Sequence, residues 1–225
     1  MLAPTKPYCQ DLGDGLALKS LSGPEDAERV AAFQGQIHGP GVGDMARELM
    51  VNHPHTRPEQ WLYVEDEARG TVVSALCLIP WQIRYGEVTL KGGEMALVAT
   101  AETHRRRGLV RAQVARHAAL LRQGGFDLSH IQGIPYFYRQ FGYEYALPLE
   151  GGWHIEPRQI EDGAGEAAYT WRRAEPGDLA TLVRLYDAAA GRLAIHTARD
   201  EAEWRYLLGP SMRTEMAAET WLALD

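Results

Sequence analysis

From Glu94 to Val114 the chain reads EMALVATAETHRRRGLVRAQV. An apolar segment leads into a short polar turn, three consecutive arginines, a glycine and a helical pattern. Val, Leu and Ala between Met95 and Thr100 suit a buried strand. After Gly108, the residues Val110, Val114, His117, Ala118 and Leu121 fall on one helical face. The turn therefore stands at a helix N-terminus. There the first backbone N–H groups lack intrahelical partners and the macrodipole is positive, so main chain alone can hold an anion. A glycine at position 108 lets the backbone come close to that anion.

Charge points the same way. From Thr103 to Phe126 there are six arginines, at 105, 106, 107, 111, 116 and 122, and no Asp or Glu. The whole chain carries −7, which leaves −13 for the rest. A local excess of six positive charges on an acidic protein suggests one anionic ligand met at one place, not a nucleic-acid-binding surface. A solvated arginine-rich face would account for the charges but not for the strand, turn and glycine that precede the helix.

This segment resembles motif A of the GNAT superfamily of acyl-CoA N-acyltransferases. Its phosphate loop reads Arg/Gln-x-x-Gly-x-Gly/Ala, and Arg105, Gly108 and Val110 stand at the defined positions. Val110 departs from the pattern; the HRRRGLVR form is similar to that of the enhanced-intracellular-survival type of bacterial acetyltransferase. Downstream, one helix and one strand later, GIPYFYRQFGYEYA from Gly133 to Ala146 resembles GNAT motif B, with Tyr138, Phe141, Gly142 and Tyr143 at its marker positions. The resemblance covers roughly residues 15 to 150. It implies an α/β (α+β) GNAT fold, with a mixed, mostly antiparallel sheet flanked by helices.

Composition sets the outer bounds. At 225 residues and 45% hydrophobic the chain can bury a substantial core. The weakly polar run Thr71 to Trp81 is too short to span a bilayer, and residues 1 to 15 lack the apolar stretch of a signal peptide, so a cytoplasmic location is the default expectation. Cys9 and Cys77 are not spaced as metal ligands or a redox pair, and Cys77 reads as core. His53-Pro-His55 has no third ligand nearby in sequence and reads as a turn, so no metal is expected.

The element pattern follows. Leu16 to Leu21 reads as a strand, Ser22-Gly-Pro-Glu-Asp as a helix start, and Gly39 to Asp44 as a loop joining that helix to a short one over Met45 to Met50. Three strands come next, at Trp61 to Glu65, Thr71 to Ile79 and Glu87 to Thr100, as an antiparallel meander. The arginine turn and its helix to Gln123 precede a strand at Leu128 to Gln132, a short helix over Tyr136 to Gln140 and a final strand from Tyr143.

Past Glu150 the chain begins again. LKSLSGPED from Leu18 to Asp26 is echoed 152 residues later by TWRRAEPGD, and Trp61-Leu-Tyr-Val-Glu65 is echoed 160 residues later by Trp221-Leu-Ala-Leu-Asp225. The expected organisation is a GNAT domain at 1–150, a linker at 151–168, and the N-terminal half of a second GNAT-like domain at 169–225. That half has no phosphate turn of its own. A chain ending inside an apolar strand leaves an uncovered edge, so truncation is expected rather than a natural end.

The resemblance also implies the chemistry. Acetyl-CoA would be the co-substrate, giving its acetyl group directly to an amine of a small cationic acceptor (polyamine- or aminoglycoside-like) or of a protein. Tyr138 would protonate the departing thiolate, since a phenol is protonated at neutral pH. Glu94 is the candidate base on the strand before the turn. Main chain of Val98, Ala99 and Thr100 would hold the carbonyl and pantetheine arm. Arg105, Arg106, Arg107, Gly108, Leu109, Val110 and Arg111 would surround the pyrophosphate. Asp44 and Glu48 would give the acceptor entrance an acidic rim, and Trp81 would line it. The alternative is an inactive CoA-binding regulatory or structural module of the same fold. No nucleic-acid or membrane partner is expected, and a homo-oligomer stays open.

Overall fold

A computed structural model describes residues 7–148, 156–159 and 169–224. Six strands form one sheet in the order β1 (Cys9–Gly13), β2 (Leu16–Ser20), β3 (Trp61–Asp66), β4 (Thr71–Tyr85), β5 (Val88–Thr100) and β6 (Leu128–His130). All neighbours are antiparallel except β5 and β6. Helices α1 (Pro24–His38) and α2 (Pro40–Asn52) cover one face, where Val30, Phe33, Trp61, Cys77 and Ile79 form a core. Helix α3 (Leu109–Gln123) covers the other, over Leu18, Leu76, Leu78, Met95 and Leu120. Alternation along β4 and β5 feeds the two cores in turn, as strand geometry requires.

Two expectations about local structure need correction. Gly39 to Asp44 is not a connecting loop: Pro40 opens α2 and the helix runs through Gly41 and Gly43. The glycine serves packing, because a Cβ on Gly43 would stand 3.0 Å from both Ala31 O and Gly35 Cα on α1. No strand forms over Tyr143 to Pro148. That segment is tied down by side chains instead, through the Tyr143 hydroxyl on Ser129 Oγ at 2.7 Å and the Tyr145 hydroxyl accepting from Tyr136 N–H at 2.8 Å.

The expected linker lies outside the described residues except for 156–159. Beyond it come β7 (Thr170–Arg173), α4 (Leu179–Ala190), β8 (Ile195–Ala198), α5 (Glu201–Leu208) and β9 (Trp221–Leu224). β7 and β9 pair antiparallel with Thr170 opposite Leu224 and Arg172 opposite Leu222. In β2 and β3 the pairs are Leu18 with Val64 and Ser20 with Leu62. Adding the sequence offsets of 152 and 160 to the earlier pairs yields the later ones. β8 leaves this pattern and pairs with the far half of β4, Gln82 to Tyr85, making a seventh strand of the first sheet.

Candidate active site

The parallel pairing of β5 and β6 lasts three residues, Gly92 with Leu128, Gly93 with Ser129 and Glu94 with His130. Beyond Glu94 the two strands part. A wedge therefore opens along β5 toward Thr100, with the arginine turn at its mouth.

A bulge prepares the β5 side of that wedge. Ala75 faces Ala99 and Cys77 faces Ala96, so two residues, Leu97 and Val98, oppose one. Leu97 takes φ +53°, which costs a branched residue, and buried Gln34 of α1 donates its Nε2 to Leu97 O at 2.7 Å. Ala99 O lies 2.9 Å from Ser74 Oγ and Ala101 N–H donates to Val73 O, so both residues turn their peptide groups toward β4. Because direction alternates along a strand, Thr100 between them turns its own away from β4. Ala99 is a core residue.

The turn itself has two left-handed residues, Arg106 at φ +62° and Gly108 at φ +77°. Gly108 is the N-cap of α3 with no side chain capping it, and the first amide bonded within the helix is Ala112 N–H, to Gly108 O at 3.0 Å. A Cβ on Gly108 would meet nothing within 4 Å, so the space in front of the uncapped amides is open. Left-handed turns that aim successive N–H groups one way form anion-binding nests. Buried Gln113 anchors the helix beneath, with Oε1 2.7 Å from Ser74 Oγ and Nε2 donating to Leu62 O at 3.3 Å.

The seven expected phosphate-site residues divide. Arg106 and Gly108 are exposed and, among the described residues, Arg106 has no side-chain partner. Leu109 is buried under the turn and contributes only its backbone; Val110 is half-buried. Arg107 reaches Asp14 at 3.2 Å beside a small cavity of about 140 Å³ lined by Leu12, Gly108 and Ala112. Arg105 lies 3.9 Å from Glu102, and Arg111 donates to Gln140 at 3.2 Å over the Phe141 ring. Arg116 sits on the Tyr8 ring at 4.1 Å, away from the turn.

Tyr138 belongs to a short 3-10 helix, Phe137–Phe141, after β6, and is 8% exposed. Its ring lies against Gly133, where a Cβ would come within 2.6 Å of Cε2. The Tyr143 ring packs edge-on at 6.3 Å. The Tyr138 hydroxyl makes no hydrogen bond among the described residues. Burial, then the neighbouring Tyr143, holds its pKa above the ordinary phenol value, which keeps it protonated.

Glu94 lies on the α1/α2 side of the sheet and accepts the Trp81 indole N–H at 2.8 Å through Oε2. Its strand partner His130 was missed at the sequence level, since nothing local marks a lone histidine in a short strand. Gln34 and Leu97 were missed for the same reason. The acidic rim needs correction: Asp44 pairs with Arg47 at 2.8 Å, and Glu48 accepts from Asn52 at 2.5 Å and lies 3.7 Å from Arg213. His55, expected in an isolated turn, meets Asp200 at 2.8 Å and Glu203 at 3.8 Å, because α5 packs there. These three groups stand close enough together to hold a metal ion, but Asp200 and Glu203 already cap α5 for one another.

A larger cavity, about 900 Å³, lies against Leu78 to Gln82 of β4 and includes His55, Lys91 and Phe126. None of the turn residues Arg105 to Arg111 lines it. Tyr138 packs with the core on the α3 side, and Glu94 pairs with Trp81 on the α1/α2 side.

The splayed sheet, bulge and uncapped turn are those of a GNAT-type fold. Residues 31–146, just over half of the chain, match the family model described as an acetyltransferase (GNAT) domain, and the chain belongs to that family. Solved structures share the fold. N-myristoyltransferase of Saccharomyces cerevisiae with bound myristoyl-CoA superposes with a TM-score of 0.63 at 11% identity, over 88% of this chain and 54% of that one. A conserved protein of unknown function from Enterococcus faecalis V583, described as a probable N-acyltransferase, gives 0.64 at 14% identity, over 92% and 51%. The chain spans about half the length of these structures. No curated protein matches it in sequence. Among the described residues no helix is long and apolar enough to cross a membrane.

Proposed function

We propose that the chain is an acetyl-CoA-dependent N-acetyltransferase that transfers acetyl directly to an amine, in a small cationic acceptor or a protein. One observation carries the reading: an uncapped helix N-terminus with left-handed Arg106 and Gly108 stands at the mouth of a wedge whose second strand stops pairing with β5 after Glu94. Gly108, Leu109, Val110 and Arg111 amides, with Arg105, Arg106 and Arg107 around them, would hold the pyrophosphate. The pantetheine arm would then run back along β5, with a Val98 or Thr100 amide as oxyanion donor.

The reacting carbon would lie near the apex, between Glu94 and Tyr138. Amine attack forms the C–N bond, the C–S bond breaks, Glu94 takes the amine proton and Tyr138 gives its phenolic proton to the thiolate. A short acyl group is favoured by what closes the apex. Ile83 fills the space where Gly92 lacks a Cβ, and Leu121 with Phe126 fills that of Gly93. Pairing of Asp44 with Arg47 and of Glu48 with Asn52 removes one reason for a cationic acceptor.

The repeated register of β7 and β9 supports reading 169–225 as the start of a second GNAT-like unit, arranged as in the enhanced-intracellular-survival type. Structural likeness over about nine-tenths of the chain, more than residues 1–150 supply, agrees. The cytoplasm is the expected compartment.

The test is free-thiol release from acetyl-CoA with a panel of polyamines, aminoglycosides and lysine peptides, for the wild type and Tyr138→Phe. Turnover that the variant loses supports the enzyme; acetyl-CoA binding with no turnover by any amine means the inactive CoA-binding module instead.

A further inference from the structure

A side chain of α1 reaches into the bulge of β5. Gln34 is fully buried, and its Nε2 donates to Leu97 O at 2.7 Å. The other end of the same amide, Oε1, is shut off from solvent and has no hydrogen-bond partner among the described residues. Such an orphan is rare in a folded interior and calls for a reason. An apolar side chain in this core would leave no acceptor bare, so the reason lies at the donor end.

What the donor holds is a strained peptide. Ala96 faces Cys77 and Ala99 faces Ala75, which leaves Leu97 and Val98 opposite Leu76 alone. Leu97 at φ +53° keeps a left-handed conformation that an L-residue holds only where its surroundings fix it. Leu97 C=O and Val98 N–H belong to one peptide unit, which is trans. In a trans peptide the two bonds point in opposite directions. With the carbonyl tied to α1, the Val98 N–H is fixed pointing away from α1. Leu97 packs against the α1/α2 core and Val98 against the α3 core, so the chain changes faces at this peptide. β6 stops pairing with β5 at Glu94, and no described strand covers that edge beside Val98.

Resting on the acetyltransferase reading, we propose that Gln34 is a positioning residue for acyl transfer. It holds the 97–98 peptide so that the Val98 N–H donates to the thioester oxygen. Attack by the amine nitrogen on the carbonyl carbon places negative charge on that oxygen. The electron pair returns to the carbon–oxygen bond as the C–S bond breaks, and the thiolate takes the Tyr138 proton. A donor aimed before the substrate arrives needs no reorganisation at the moment of reaction. Gln34 touches neither the thioester nor the amine and acts through Val98.

Gln34→Met tests this, because it keeps the length of the side chain and removes only the amide. Backbone amide spectra with CoA and with acetyl-CoA need no turnover. In the wild type both ligands should shift Gly108 to Val110, and acetyl-CoA should move the Val98 proton further downfield than CoA does. In Gln34→Met the shifts at the turn should persist while the extra Val98 response disappears. Shifts at the turn without an extra Val98 response in the wild type overturn the proposal and leave the parent reading standing; that arm requires no variant to fold. An extra response that Gln34→Met retains overturns it equally. In steady-state kinetics kcat should fall on the order of 10²-fold in Gln34→Met, the effect of losing one oxyanion donor, with CoA affinity unchanged. An unchanged kcat, or a loss of affinity that matches the loss of rate, reduces Gln34 to packing. If neither ligand shifts the turn, or the wild type acetylates no amine, the parent reading fails, and with it the role of Gln34.

Discussion

The ring of Tyr138 rests on the backbone of Gly133, so closely that the glycine's missing Cβ is what admits it. Packing therefore sets where the phenol points. Gly133→Ala will push the ring outward while leaving the turn alone. A displacement of about 1 Å at a reacting group can cost roughly 10²-fold in rate. We expect kcat to fall on that order with acetyl-CoA affinity unchanged, read by steady-state kinetics beside a calorimetric titration. An equal loss of affinity and rate would contradict the assignment of Tyr138 to chemistry alone.

Gly108 separates strain from function. Its φ of +77° suits glycine, but a Cβ there meets only open space. Gly108→Ala should cost the fold about 1–2 kcal/mol, the usual cost of a left-handed L-residue. Binding should suffer more, because the methyl projects where an anion would approach the uncapped amides. Denaturant midpoints and titration with CoA measure the two effects on one sample.

Acid will destabilise the protein through buried histidines. Burial lowers the pKa of His117 to about 4; His53 is likewise lowered to about 4 by burial, then by neighbouring His55. An unfolded histidine titrates near 6.5, so between about 6.5 and 4 the unfolded state binds more protons. The stability contributed by the neutral rings is full above the unfolded value and is lost as pH falls through that window, at up to roughly 1.4 kcal/mol per pH unit per ring. His117→Leu should flatten this slope in urea melts taken at successive pH values; a slope unchanged by the substitution would remove His117 from the account.

Glu65 acts over a lower range. Burial alone would raise its pKa, but Lys19 and Arg29 bind the carboxylate and hold it below the ordinary range. Its contribution is therefore present above the unfolded value near 4.3 and disappears as pH falls below that. Glu65→Gln should lower the thermal midpoint at pH 7 and converge with the wild type in strong acid, as scanning calorimetry would show.

Local signals carried much of this architecture. The arginine turn, the helix to Gln123 and the meander strands each announce themselves within a dozen residues, whereas Tyr138 was singled out only by the resemblance to GNAT motif B. What escaped depends on distant partners. The start of α2 looked like a loop because the purpose of Gly43, close approach to Ala31 and Gly35, lies on another helix. β1 and β8 are short and exist because β2 and β4 offer them edges. The Leu97 bulge acquires meaning only from β4 and Gln34. The echoes at 152 and 160 residues were visible early, yet their shared register appears only once β7 and β9 pair.

Backbone amide shifts on adding CoA test the central claim most directly. The account predicts that the largest perturbations fall on Gly108, Leu109 and Val110, followed by Val98 and Thr100 along the wedge, with little change around Pro80 to Gln82. Shifts centred on the larger cavity beside β4, with the turn unmoved, would contradict it.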